Sequence, residues 1–418
     1  MSACGLLHPS LHGMHCACPL LAEARPKGGV ADDGCPALPR PKRNHSDCDA
    51  DAGVQGHLDQ HGHHYAATAE EAVRDVLRAG VDVDCGTFVQ QHADSALNQS
   101  LFDMSLVDTR LANLLKVRFR LGHFDPKGPL DAIPRSTVCS DYAIALSLDG
   151  AAQSSVLIKN TNQTLPLDRA TVGTVAVIGP TIRNSASDAG YYGPHHTQFY
   201  PKFPTVVDAV QSGGKVRTVT AAGVIKPSSE DQSRINQAVN VAKGADTVIL
   251  AVGTDITMAS EPHDAKNISF TTAQSVLIER VASVAKRPVT VLLLTATPLD
   301  LSAVLANPKV GAVLHLGVPS VTVLGITAIL YGDQSPAART VQTFHGSAYQ
   351  DQISIFDFSM RPGPSTFARP DCALKPASLC PRGDNPGRTH RFFTGQAVVP
   401  FGKSRAIVVF CATGRSVS

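Results

Sequence analysis

The chain has 418 residues, with 37 Lys plus Arg against 35 Asp plus Glu and a formal net charge of +2. This balance offers no basic face to nucleic acid or to an acidic lipid surface. No run of about 20 apolar residues suggests a membrane span. With 43% hydrophobic and 17% charged residues, the composition is that of a globular protein, and the length allows about two to three domains.

Residues 1–45 are rich in Pro, Gly, Cys and His and follow neither a helix nor a strand period, so they read as an irregular or disordered segment. The start carries neither a basic leader nor an apolar core of the kind that directs secretion, so no signal peptide is expected. The first ordered element begins at Thr68, where Thr68-x-x-Glu71 forms a capping box before EAVRDVL and a stop at Gly80. The run VDVDCG (81–86) reads as extended. A second helix follows, with Ser105 as its cap, Leu111, Leu114, Leu115 and Val117 as its apolar positions and Gly122 as its stop. Pro126, Pro129 and Pro134 mark 126–137 as a linker.

Beyond it the rhythm changes. A helical run at 140–154 leads into VLIKN. TVAVIGP (174–180) and RTVTAAG (217–223) read as strands, then come a helix at about 228–243, strand DTVILAVG (246–253), helix 272–286, strands VTVLLLTA (289–296) and AVLHLGV (312–318), and helix 321–331. Near-continuous apolar strands alternating with helices predict a parallel sheet covered on both faces. The segment 361–418 reads as irregular, with Cys372 and Cys380 in a stretch rich in Pro and Arg.

Ten Cys are scattered over the chain, which is not a dense disulfide framework. His12, His15, Cys16 and Cys18 do not have a standard zinc spacing. PFGKS is not a phosphate loop, because position 397 is Ala. No metal or organic cofactor is expected. Among the carboxylates, Glu261 stands out on topology. It follows the strand 246–253, and loops at the carboxyl ends of parallel strands are where ligands bind in open α/β sheets. Asp47 lies in SDCDA (46–50), just ahead of the ordered region.

Several motifs in fixed order resemble glycoside hydrolase family 3, and most closely its β-xylosidase branch. They are SDCDA (46–50), HHYAATAEEAVRDVLRAGVDVDCG (63–86), LLKVRFRLGHFD (114–125), SSVLIKNTNQTLPL (154–167), VAVIGP (175–180), GTDITMASEPHD (253–264) and GRTHRFFTG (387–395). The resemblance implies an α/β fold: a three-layer α/β sandwich with a mostly parallel sheet at 138–360, preceded at 46–125 by the last part of a TIM-like barrel. It implies retaining exo-hydrolysis of β-xyloside or β-glucoside oligosaccharides, with Asp47 at the nucleophile position and Glu261 at the acid/base position. It also suggests Lys159, Asn160 and Asp264 as substrate-binding residues, Cys48 and Cys85 as a candidate disulfide, and an extracellular location. The oligomeric state is left open.

This sequence also departs from the family pattern. The first Glu of the family's Glu-Ala-Glu run is Ala259 here, and glycine-rich turns are replaced by Thr297-Pro298, by PSVTVLG (319–325) and by Ala337-Ala338. An eight-stranded barrel typically takes ~250 residues, whereas 46 residues precede Asp47. The competing expectation is therefore a vestigial or non-catalytic carbohydrate-binding chain.

Overall fold

The computed structural model describes residues 66–84, 86–137, 140–183, 204–260, 265, 267–318, 321–372, 374, 376–407, 409–410 and 416–417. The chain divides into two compact units, which meet in sequence at Ile133 and Pro134.

The first unit is helical. Helix α1, Ala69–Ala79, starts where the Thr68 hydroxyl accepts the Glu71 N–H at 3.2 Å, while the Glu71 carboxylate accepts the Ala67 N–H. It ends at Gly80, whose left-handed φ of 107° returns its N–H to the last carbonyls. The run 81–84, expected to be extended, pairs into no sheet among the described residues. Its aspartates act as anchors instead. Asp84 accepts the Gly86 and Val89 N–H groups and so starts α2, Phe88–Asn98. Asp82 accepts from Arg110 at 3.1 Å and Asn113 at 3.2 Å, which fixes one face of α3, Met104–Arg120. Asp103, not the expected Ser105, precedes that helix. Ala72, Val73, Leu77, Phe88, Ala96 and Phe102 form the small core. Helix α3 contributes no fully buried residue, and Met104, Leu111 and Phe119 are exposed along it.

The second unit is a doubly wound α/β sandwich. It begins with α4, Asp141–Ser154, capped by Ser140. Its six strands are β1, Val156–Asn160; β2, Thr174–Ile178; β3, Arg217–Ala221; β4, Thr247–Gly253; β5, Val289–Leu294; and β6, Val310–His315. They lie in the order β1-β6-β5-β4-β2-β3, with β1 antiparallel to β6 and every other pairing parallel. Every residue of β4 and of β5 is buried, as expected of central strands covered on both faces.

Alternation along these strands divides the core into two layers. Ile178, Leu250, Val252, Val291 and Leu293 pack against α6, Ile235–Gly244, and α7, Thr272–Val284. Val177, Ile249, Ala251, Leu292 and Leu314 pack on the other face against α5, Val206–Gln211, and α9, Ile326–Leu330. A short α8, Ser302–Ala306, joins β5 to β6 on the first face. Burying one such leucine contributes about 2 kcal/mol, so this double layer dominates the stability of the unit.

The stretch 361–418, expected to be irregular, is ordered in part. Strands β7, Gly363–Ala368, and β8, Arg382–Asn385, form an antiparallel pair, and Cys372 and Cys380 are joined by a disulfide within the connection. A short helix α10, Thr389–Phe392, follows. Phe344 bridges Val399, and the Arg405 N–H donates to the Leu157 carbonyl of the edge strand β1.

Candidate functional site at the carboxyl edge of the sheet

Chain order makes one position special. From β2 the chain goes outward to β3, then returns past β2 to place β4, β5 and β6 on the other side. The order reverses between β2 and β4, and the crevice beyond the carboxyl ends of those two strands is the usual ligand position of a doubly wound sheet. Gly179 follows β2 and Gly253 ends β4, both with left-handed φ, 135° and 155°. A Cβ on Gly179 would overlap the Ala251 carbonyl, and one on Gly253 the Leu294 carbonyl. Only glycine lets the backbone leave the sheet this tightly.

The segment 254–271 connects β4 to α7 and contains Glu261. Gln274, fully buried on the apolar face of α7, clamps its root. Its Oε1 accepts the Gly253 N–H at 3.0 Å, and its Nε2 donates to the carbonyls of Gly253 at 3.0 Å and Pro227 at 2.8 Å. Thr254 donates through its hydroxyl to Thr295 at 2.9 Å. The Thr295 hydroxyl donates to the Thr297 carbonyl and accepts the Thr297 N–H. A side chain thus organises the turn where the sequence has Thr297-Pro298 in place of glycines.

Asp255 accepts from the N–H and hydroxyl of Ser228 and from the N–H and hydroxyl of Thr257. Burial pushes its carboxyl up, but the donors from Thr257 and Ser228 outweigh burial and hold it below the ordinary carboxylate value. Asp255 is therefore a fixed anion that shapes the loop, and it is no proton donor near neutral pH.

The exit of the segment is held as well. The Asp300 N–H donates to the Ile268 carbonyl at 2.7 Å, and the Gln350 Oε1 accepts the Ile268 N–H at 3.1 Å. The Asp300 carboxylate accepts from Ser302 and from the Ser347 N–H at 2.7 Å. Beside this strap His345 stacks on Tyr349 with centroids 3.9 Å apart, and Phe393 meets His345 edge to face. Burial pushes the His345 imidazole down and the Tyr349 phenol up, the latter against the opposing charge of Arg388.

The residues singled out from the sequence are distributed unevenly. Asp47, Glu261, Asp264, Cys48 and Cys85 lie outside the described residues. In sequence, Glu261 falls between the anchored positions Asp255 and Ile268. Lys159 and Asn160 lie elsewhere in the sheet. Because β1 runs antiparallel, both sit at the opposite edge of the sheet, with Asn160 beside Ala312 at the start of β6. The Lys159 ammonium donates to the carbonyls of Leu305 and Asn307, and Asn160 exchanges hydrogen bonds with the backbone of Leu165. Their polar groups are spent on backbone, away from the switch point. Burial lowers the Lys159 pKa. Gln274, Asp300 and Gln350 were not singled out from the sequence. A glutamine on the apolar face that also bears Leu277, Ile278 and Val281 was the one available signal for Gln274.

Fold and edge together define a doubly wound α/β domain whose acidic loop leaves the central strand at the topological switch point. The glycosyl hydrolase family 3 C-terminal domain matches residues 155–369, just over half of the chain. The chain belongs to glycosyl hydrolase family 3. It is 35% identical over 362 residues to probable beta-D-xylosidase 7 of Arabidopsis thaliana, which covers 85% of this chain and 43% of that relative. It is 32% identical over 360 residues to exo-1,4-beta-xylosidase bxlB of Emericella nidulans, again 85% and 43%.

Among solved structures, a family 3 exo-beta-xylosidase, XlnD, in complex with a xylobiose aziridine activity-based probe superposes with a TM-score of 0.70 and 27% identity, over 87% of this chain and 44% of that one. A beta-glucosidase from Listeria innocua shares the fold, with a TM-score of 0.59 and 19% identity over 83% of this chain and 45% of that one. The chain thus spans less than half the length of these four relatives.

Proposed function

We propose that this chain serves a retaining exo-β-xylosidase-type reaction, the removal of terminal pentose units from xylan or arabinoxylan oligosaccharides. Asp47 is the nucleophile and Glu261 the acid/base. Asp47 attacks the anomeric carbon while the glycosidic oxygen departs with the proton of Glu261. Glu261 then takes a proton from water, which displaces Asp47 from the sugar. The first step needs Glu261 protonated, hence in surroundings that raise its pKa. The neighbouring Asp255 is unsuited to that role, because four donors hold it ionised. The chemistry calls for no metal or organic cofactor.

The observation that carries this reading is the position of the Glu261 segment, which leaves β4 at the switch point with both ends anchored. Similarity to beta-xylosidases at up to 35% identity favours pentosides over glucosides. The Cys372–Cys380 disulfide supports an oxidising, extracellular compartment. Among the described residues no helix is long and apolar enough to cross a membrane.

A second reading, a chain that binds carbohydrate without turning it over, is favoured by Ala259 in place of the first Glu of the family's Glu-Ala-Glu run.

The test is turnover of an aryl β-xyloside and an aryl β-glucoside by the full chain, beside Asp47→Ala and Glu261→Ala. Xyloside hydrolysis abolished by Asp47→Ala is expected. No turnover, together with calorimetric binding of xylose, would establish the second reading.

A further inference from the structure

We infer that Gln350, supported by Asp300, is a positioning residue for the acid/base segment. The inference rests on the proposed role of Glu261 and adds a device that sets its reach.

The segment 254–271 is held at its root by three independent contacts: the Gln274 clamp on Gly253, the Thr254–Thr295 bond, and the Asp255 anchor. Glu261 comes six residues after Asp255 and seven before Ile268, so the geometry of the far end matters as much as that of the root. That far end is Ile268, whose two backbone polar groups are bound from different directions. Its carbonyl accepts the Asp300 N–H from the β5–α8 loop, and its N–H is accepted by the Gln350 side chain from the strap 345–350.

The strap is itself tied to the same loop, because the Asp300 carboxylate accepts the Ser347 N–H. Three chain segments far apart in sequence therefore meet at one junction, and Gln350 is the only side chain reaching Ile268 in it among the described residues. Its amide orientation follows from chemistry. The Ile268 N–H can only donate, so the carbonyl end of Gln350 must face it. Asp300 stays anionic in its role. Burial pushes its carboxyl up, but the donors from Ser302 and Ser347 hold it below the ordinary range. Backing comes from the His345–Tyr349 stack with Phe393, which keeps the strap from swinging away.

Shifting a catalytic carboxyl by about 1 Å costs on the order of 100-fold. A junction that fixes one end of its loop is therefore part of the catalytic geometry without touching substrate.

The test uses the full chain with Gln350→Ala and Gln350→Glu, the second of which keeps an acceptor for Ile268. Hydrogen exchange is measured over 254–271 and over α7. In Gln350→Ala, faster exchange is expected in 254–271, with α7 unchanged and Gln350→Glu close to the parent. Equal exchange in parent and Gln350→Ala would overturn the inference whether or not the chain turns over. The second readout is kcat/KM on phenyl and 2,4-dinitrophenyl β-xylosides. Protonation by Glu261 matters for phenol and little for dinitrophenol. Gln350→Ala should therefore lose about tenfold on the phenyl substrate and less than about twofold on the dinitrophenyl one, with rescue in Gln350→Glu. Equal losses on both would overturn the positioning role. Glu261→Ala is run in parallel. If it shows no such leaving-group selectivity, the proposed function fails, while the exchange result still decides the junction.

Discussion

The two units of this chain solve the same problem with unequal means. In the α/β unit the central strands are buried along their whole length, and two apolar layers enclose the sheet. In the helical unit the core has six buried residues among the described ones, and α3, with 17 residues, buries none of its own. Helix α3 is held by half-buried Leu106 and Val107 against that core and by Arg110 and Asn113 on Asp82. A small core offers little margin against chain entropy, so the two units should respond differently to comparable lesions.

The sharpest way to widen that contrast is Gly253→Ala. A Cβ there meets the Leu294 backbone, and the φ of 155° resists any side chain. The α/β unit should lose about 3 kcal/mol or more, seen in denaturant unfolding followed by exchange in β4 and β5, with α1 and α2 unaffected. Gln274→Leu comes next. It strips partners from the Gly253 N–H and from two carbonyls in a buried place, and should cost the same unit about 2–3 kcal/mol.

Thr68→Ala removes the α1 cap and should cost about 1 kcal/mol, registered in the helical unit alone. The smallest effect concerns acid. Burial pushes the Asp255 and Asp300 carboxyls up, but their hydrogen-bond donors hold both below the ordinary carboxylate value in the folded chain. Their contribution is fully present above that value and lost as pH falls through the lower, folded value. Asp300→Asn should flatten the acid limb of the unfolding curve below about pH 4 and leave the neutral plateau lower but level.

How much of this was readable in the sequence follows from how local each cause is. The sheet was readable because strands such as Thr247–Gly253 and Val289–Leu294 are apolar throughout and bounded by turns. Helix α6 starts at Ile235, not near position 228 where the local pattern places it. Ser228 resembles a cap, yet its hydroxyl is given to Asp255, and Glu230 two residues later caps α7 through the N–H groups of Thr272 and Ala273. Tertiary partners took the residues that a local reading assigned to a helix. Helix α2, Phe88–Asn98, leaves little local signal, because no side chain caps it from Thr87 and its anchor, Asp84, lies in a run that reads as a strand.

The hairpin β7–β8 has no apolar alternation to announce it and is closed by a disulfide across eight residues. For the site, the loop after β4 could be chosen from topology. The residues that hold it, Gln350 above all, act from 82 positions away, a distance over which sequence pattern carries no information.

The strand β1 bears on solubility. It is the antiparallel border of the sheet, and an open border is a template on which a second molecule can add its own strand. Here the register shifts between Leu157 and Lys159, and the late segment of the chain gives its Arg405 N–H to Leu157. The segment at Arg405 thus works as a selvedge on the woven sheet. A chain cut before residue 400 would keep every catalytic and positioning group discussed above, yet would be left with a ragged hem along which copies stitch together, and the first symptom would be turbidity in the tube.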